Sequence, residues 1–247
     1  MKTRVEIVPG DHLKTLGNCG GFYSCPKGPD ENRLGPVVGY SHRYDGKHQW
    51  VGDIYANFAK AEMHSNVLAH FSSLLAVELD VQIGLSGVDV FCGAPIGGYS
   101  LMTALELGTG TNAIKAEKKI LELGVGGARD KSKLVFARHE VTPGERVVIV
   151  EDVCNNFSTT EELIALINSA GGIVVAIACF LNRSLMVERY YHSAAVNCEI
   201  PVVSLVRLPI IEWKQDNPAV AEDIAKGNVV LDPKKGWDRL MKAMHGK

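Results

Sequence analysis

Two rhythms of apolar positions organise the chain beyond its first quarter. Val67, Phe71, Leu74, Leu75 and Leu79 recur at helical spacing and predict an amphipathic helix over about Glu62 to Leu79. Short, continuous apolar runs then alternate with further helical stretches. Val88 to Cys92, Asn112 to Lys118, Lys133 to His139, Arg146 to Val150, Ile173 to Leu181 and Val202 to Leu205 predict strands. Tyr99 to Leu107 and Thr160 to Ala170 predict helices, the second closed by Gly171-Gly172. Strands that are apolar on both faces and alternate with helices indicate an α/β fold with a mostly parallel sheet flanked by helices.

The first 60 residues follow a different pattern. Short β-type runs, Val37 to Tyr40 and Gln49 to Tyr55, are divided by turn chemistry such as Pro29-Asp30 and Asp45-Gly46. The expected division is an irregular β subdomain over 1–60, an α/β core over 61–206, and a helical extension over 207–247 that packs on either. That extension has two short helical stretches, from Pro218 and from Trp237 to Met244.

Composition narrows the function classes. The 247 residues carry 26 basic and 28 acidic side chains, a net charge of -2, which provides neither a nucleic-acid footprint nor a polybasic membrane surface. An anionic ligand must then be held by a local site. Six dispersed cysteines without C-x-x-C spacing argue against a disulfide framework. With no signal-peptide pattern and no apolar run of membrane-spanning length, the expected location is the cytoplasm. The eight histidines form no H-x-x-x-H or H-E-x-x-H pair, so no protein-built metal centre is expected.

In an open parallel sheet, ligands bind at the carboxyl ends of the strands. The run Val147 to Val150 delivers Glu151 and Asp152 to such an end. The polar turn Asn155-Asn156-Phe157-Ser158-Thr159 follows and opens a helix. Ser158 with Glu161, and Thr159 with Glu162, have capping-box spacing. Free backbone N–H groups at a helix start suit a phosphate, and adjacent carboxylates suit the hydroxyls of a sugar carrying it. After Val88 to Cys92 comes Gly93-Ala94-Pro95-Ile96-Gly97-Gly98, whose small residues let backbone amides approach a ligand. Between Lys118 and Lys133, Gly124, Gly126 and Gly127 precede Arg129 and Lys131, which suggests a basic loop between two strands. Each of these also has a plain reading, as solvated acids, an ordinary strand-to-helix turn and a charged hairpin.

Together the three segments resemble the type I phosphoribosyltransferases, and the orotate phosphoribosyltransferases most. The similarity spans roughly residues 85 to 185. It includes Ala116-Glu117-Lys118-Lys119, Arg138, Pro143-Gly144-Glu145-Arg146 and Asn182-Arg183-Ser184 around the acid motif. The resemblance implies that the core takes that fold beneath a hood formed by the terminal segments. It implies that Glu151 and Asp152 hold the ribose hydroxyls and that Asn155 to Thr159 cradle the 5′-phosphate. Ala94, Pro95, Ile96, Gly97, Lys118 and Arg138 would bind the diphosphate. Asp152 is the leading catalytic candidate, with Lys119, Arg129 and Lys131 as the cations that neutralise the leaving group. Where the family has Thr-Thr-Gly, this chain has Asn155-Asn156-Phe157. If that position requires a left-handed backbone, a side chain there costs on the order of 1–2 kcal/mol. The Phe157 ring is then a candidate to fill the phosphate space.

The implied activity is Mg²⁺-dependent transfer of a phosphoribosyl group from phosphoribosyl pyrophosphate to a base, orotate first, by a homodimer. The substrate's diphosphate and hydroxyls would chiefly hold the metal. Lys27, Arg33 and Arg43 are candidate contacts to the base. A second reading stays open on Phe157: a protein of this fold that binds a nucleotide or phosphoribosyl pyrophosphate as a regulator without turnover.

Overall fold

The computed structural model describes residues 4–122 and 131–246. The chain divides into two compact units, 1–15 with 58–209 and 16–57 with 210–247. The C-terminal stretch therefore shares a unit with residues 16–57, whereas the first 15 residues group with the sheet.

In chain order the elements begin with α1 (His12–Asn18), β1 (Phe22–Ser24), β2 (Val37–Arg43), β3 (Gln49–Gly52) and β4 (Ile54–Ala56). Next come α2 (Ala59–Glu62), α3 (Ser65–Ile83), β5 (Val90–Gly93), α4 (Gly98–Thr109) and β6 (Asn112–Lys115). β7 (Glu117–Glu122) and β8 (Lys131–Val135) precede β9 (Arg146–Cys154), α5 (Ser158–Ser169) and β10 (Ile173–Asn182). The last are β11 (Tyr190–Ser193), β12 (Cys198–Arg207), α6 (Ala221–Ala225), β13 (Val229–Val230) and α7 (Trp237–His245).

The larger unit is built on a six-stranded sheet in the order β11-β12-β10-β9-β5-β6. All pairs are parallel except β11 with β12. Val147, Val148, Ile149 and Val150 of β9 are fully buried, as a central strand covered on both faces requires. On one face Leu163, Ile164 and Ile167 of α5 pack over Cys92, Ile149, Ile177 and Cys179. On the other, Phe180 meets Phe71 of α3 and Phe58, at ring separations of 4.6 and 5.1 Å. β9 leads through α5 to β10 on one side, while β5 leads through α4 to β6 on the other. The mouths of β5 and β9 thus face a point where the winding reverses, the usual ligand position in such sheets.

Two predicted strands are shorter in the structure. The run from Asn112 to Lys118 splits at buried Ala116: β6 stays in the sheet, and the charged residues after it pair as β7 with β8 in a separate antiparallel hairpin. The strand expected to reach His139 ends at Val135. No described helix is long and apolar enough to cross a membrane.

The smaller unit holds β2 between β3 and β13, and pairs β1 with β4. Asp53 interrupts the run from Gln49 to Tyr55 and binds Arg33, whose guanidinium also reaches Asp223 (3.2 Å) and the Ala219 carbonyl (2.6 Å). Arg33 is therefore a tie within this unit, and Lys27 likewise lies 3.5 Å from Glu31 and 3.7 Å from Asp53.

Candidate functional site

The end of β9 carries the acid pair. Pairing with β5 on one side and β10 on the other holds Glu151 opposite Cys179, with Val150 opposite Gly93. Asp152 turns back to accept the Val153 N–H at 2.8 Å, which fixes its carboxylate. Glu151 retains some solvent contact, yet protein crowds it closely enough that desolvation dominates its titration. Burial, and then the Asp152 charge, push its carboxyl up to about 8, against the smaller opposing pull of Lys118. Near neutral pH Glu151 is thus mainly a neutral hydrogen-bond donor beside Asp152.

The turn after β5 is pressed onto this pair. A Cβ on Gly97 would overlap the Asp152 carboxylate, and one on Gly98 would overlap the Val150 carbonyl. Only glycine permits that approach. Ala94 is buried and donates its N–H to Val150 (2.9 Å), while Ile96 stands 79% exposed and the Pro95–Ile96 peptide is cis. The backbone at Gly97 therefore lies against the Asp152 carboxylate.

The turn after β9 is built differently. Phe157 sits at φ 58°, ψ 16°, in the left-handed region, immediately before α5. Its ring is turned into the protein. It is 3% exposed and stacks on Tyr191 with centroids 4.8 Å apart and planes 12° apart. Asn156 Oδ1 accepts from the Ser158 N–H (3.2 Å) and hydroxyl (3.0 Å), bracing the turn from inside. N–H groups in the first turn of a helix have no intrahelical acceptor, so Thr159 and its neighbours present donors at the positive end of α5.

The capping boxes expected from Ser158-Glu161 and Thr159-Glu162 do not form. Phe157 occupies the N-cap without a side-chain hydrogen bond. Glu161 instead accepts the Ala195 N–H (2.8 Å), and Glu162 the Leu134 N–H (2.6 Å). Tertiary partners have outcompeted the local motif.

The predicted cations separate. Lys118 is exposed and acts electrostatically on Glu151, which places it at the site. Lys119 pairs with Lys133 across the hairpin, and adjacent strand residues point to opposite faces. Arg138 is 81% exposed and lies 3.4 Å from Glu117. Arg129 and the Lys131 side chain lie outside the described residues.

The structure adds groups that sequence reasoning missed. Burial, then the Asp152 charge, raise the Glu62 carboxyl, with Ser100 donating to it, so α2 and α4 contribute near the acid pair. Tyr191 and Glu161 shape the phosphate-type turn. No short motif marks either contribution, because each joins segments distant in sequence.

No family model matches the chain. Among curated proteins, orotate phosphoribosyltransferase of Caldanaerobacter subterraneus subsp. tengcongensis is 28% identical over 180 residues, 72% of this chain and 82% of the relative. That of Heliobacterium modesticaldum is 28% identical over 177 residues, 67% and 81% of the two chains. Among solved structures, orotate phosphoribosyltransferase from Aeropyrum pernix superposes with a TM-score of 0.52 at 16% identity, covering 80% of this chain and 94% of that one. Leishmania donovani UMP synthase gives 0.51 at 14%, covering 96% of this chain and 42% of that one. The chain is thus similar in sequence to orotate phosphoribosyltransferases, and it shares the fold of these phosphoribosyltransferase structures.

Proposed function

We propose that the chain transfers a phosphoribosyl group from phosphoribosyl pyrophosphate to a nitrogenous base, with orotate the first candidate. The observation that carries this reading is the contact of Asp152 with Gly97, which joins a sugar-type acid pair to a diphosphate-type turn. Glu151 and Asp152 would hold the ribose hydroxyls, one donating and one accepting. Asn155, Asn156, Phe157, Ser158 and Thr159 would cradle the 5′-phosphate through backbone and hydroxyl donors. Ala94, Pro95, Ile96 and Gly97, with Lys118 and Arg138, would receive the diphosphate. Lys119, Arg129 and Lys131 are the candidates for the cation that meets the leaving group.

In the reaction, the bond from C1′ to the diphosphate breaks with its electron pair leaving on the diphosphate. A ring nitrogen of the base closes the new bond at C1′, and its N–H proton passes to solvent or to the departing diphosphate. Positive charge develops on the ribose, and the Asp152 carboxylate is placed to stabilise it. Mg²⁺ would neutralise the diphosphate. The substrate's diphosphate and hydroxyls would chiefly hold the cation, since Mg²⁺ is commonly bound through substrate phosphates. On the same reading the protein works in the cytoplasm as a homodimer.

The burial of the Phe157 ring is compatible with a phosphate in the turn, which both turnover and silent binding require. The test is pyrophosphate release from phosphoribosyl pyrophosphate with Mg²⁺, across orotate, uracil, adenine, guanine, hypoxanthine and nicotinate. Turnover with one base, reduced on the order of a hundredfold or more in Asp152→Asn, supports the reading. Tight binding of phosphoribosyl pyrophosphate without turnover on any base would replace it with the regulator.

A further inference from the structure

Among the described residues Phe157 is one of three non-glycine residues with positive φ, with Glu31 and Asn197, and it stands in the turn assigned to the 5′-phosphate. Left-handed backbone at a bulky residue carries a steric cost, so it persists only where surrounding structure holds it. Here the holding structure comes from another strand. Tyr191, opposite Ile200 in the antiparallel β11–β12 pair, lays its ring flat against Phe157. Its hydroxyl lies toward Glu161 in the first turn of α5, and Glu161 Oε1 is anchored by the Ala195 N–H. Tyr191 thus meets the turn with its ring, stacked on the residue before the helix, while its hydroxyl faces the Glu161 side of the helix's first turn.

The electrostatics agree with that placement. Burial and then the Glu161 carboxylate push the Tyr191 phenol up to about 12. Burial alone would raise Glu161, but the Ala195 N–H, the Ser193 and Tyr191 hydroxyls and the Ala194 N–H outweigh it and hold Glu161 low. Glu161 Oε2 is buried without a hydrogen-bond partner among the described residues.

We propose that Tyr191 is a positioning residue for the phosphate monoester end of the substrate: by clamping Phe157 and Glu161 it aims the donors of the turn without touching the ligand. This rests on the phosphoribosyl reading and adds a residue to it. Releasing the ring lets Phe157 leave the left-handed region, which rotates the peptide planes on either side and turns donors away from the phosphate. The diphosphate turn, built on glycine contacts with β9, does not depend on Tyr191.

The test titrates ribose 5-phosphate and, separately, pyrophosphate with Mg²⁺ into the full chain by calorimetry, with Tm measured alongside. Tyr191→Leu is expected to weaken ribose 5-phosphate on the order of tenfold, about 1.4 kcal/mol. Pyrophosphate affinity should stay within about twofold. KM for phosphoribosyl pyrophosphate should rise with kcat retained, and Tyr191→Phe, which keeps the stack, should restore most of the affinity. Unchanged ribose 5-phosphate binding in Tyr191→Leu, or equal loss of both ligands with a fall in Tm, overturns the proposal. Should Tyr191→Leu not fold, Phe157→Leu removes the other ring of the stack while keeping a side chain that is costly in the left-handed region. It is expected to show the same selective loss, and unchanged affinity there overturns the proposal too. A parent protein that binds pyrophosphate but not ribose 5-phosphate overturns the phosphoribosyl reading itself.

Discussion

The turns after β5 and β9 leave neighbouring parallel strands, open onto the same acid pair and lead into helices of equal length, α4 and α5 with 12 residues each. Their construction is opposite. The first works by absence: with no side chain on Gly97 or Gly98, its backbone lies against Asp152 and Val150. The second works by bulk: a phenylalanine takes a backbone conformation that favours glycine, and burying its ring offsets the cost. A glycine turn is cheap to form and needs little from the rest of the chain. A phenylalanine turn is held from outside, so its shape depends on what holds it.

The sharpest break of this contrast is Gly98→Ala. The new methyl would overlap a carbonyl of the central strand, so the variant should lose about 3 kcal/mol of stability in urea denaturation, with activity lost as well. Phe157→Gly tests the other construction. Removing a buried phenyl ring costs about 3–5 kcal/mol, and relieving the left-handed phenylalanine returns about 1–2, so the net loss should be about 2 kcal/mol. A stabilised variant would mean that the ring contributes little and that the two turns are alike.

The acid pair between the turns responds to pH. From the ordinary value of 4.5 up to about 8, the unfolded chain has released the Glu151 proton while the folded chain keeps it. Stability therefore falls as pH rises across that window. Glu151→Gln removes this slope. The variant should match the parent near pH 4 and exceed it by about 1–2 kcal/mol at pH 9, once residual solvent contact is discounted. Thermal melts across that range check it, and parallel curves would refute it. The smallest effect belongs to Ser158→Ala, which removes the hydroxyl bond to Asn156 and leaves the backbone one. Stability should move by no more than about 0.5 kcal/mol. Ribose 5-phosphate affinity should fall about threefold if that hydroxyl also meets the phosphate.

The two turns also differ in how far the sequence reveals them. Gly93 to Gly98 could be read directly, because closely spaced glycines after an apolar strand have few other physical uses. Glu151 and Asp152 stood out for a similar reason, as two adjacent acids ending a strand that is otherwise fully apolar. At Phe157 the need for a left-handed backbone could be anticipated, but the direction of the ring could not, since Tyr191 lies far along the chain. β11 escaped notice because Tyr190 to Ser193 is short and mostly exposed, without a clear apolar run. The capping boxes misled because Glu161 and Glu162 bind the backbones of Ala195 and Leu134, and such partners exist only once the chain has folded.

The clamp on Phe157 also bears on how the protein matures. Every residue proposed to bind the substrate is in place by Thr159, yet Tyr191 is seated only after β11 has paired with β12 opposite Ile200. Synthesis runs from the N-terminus, so a contact cannot close before its later residue has emerged. A nascent chain emerging from the ribosome would therefore hold a formed diphosphate turn while its phosphate turn was still unshaped. A chain ending before residue 200 would contain every proposed binding residue and still lack the strand pairing that completes the site.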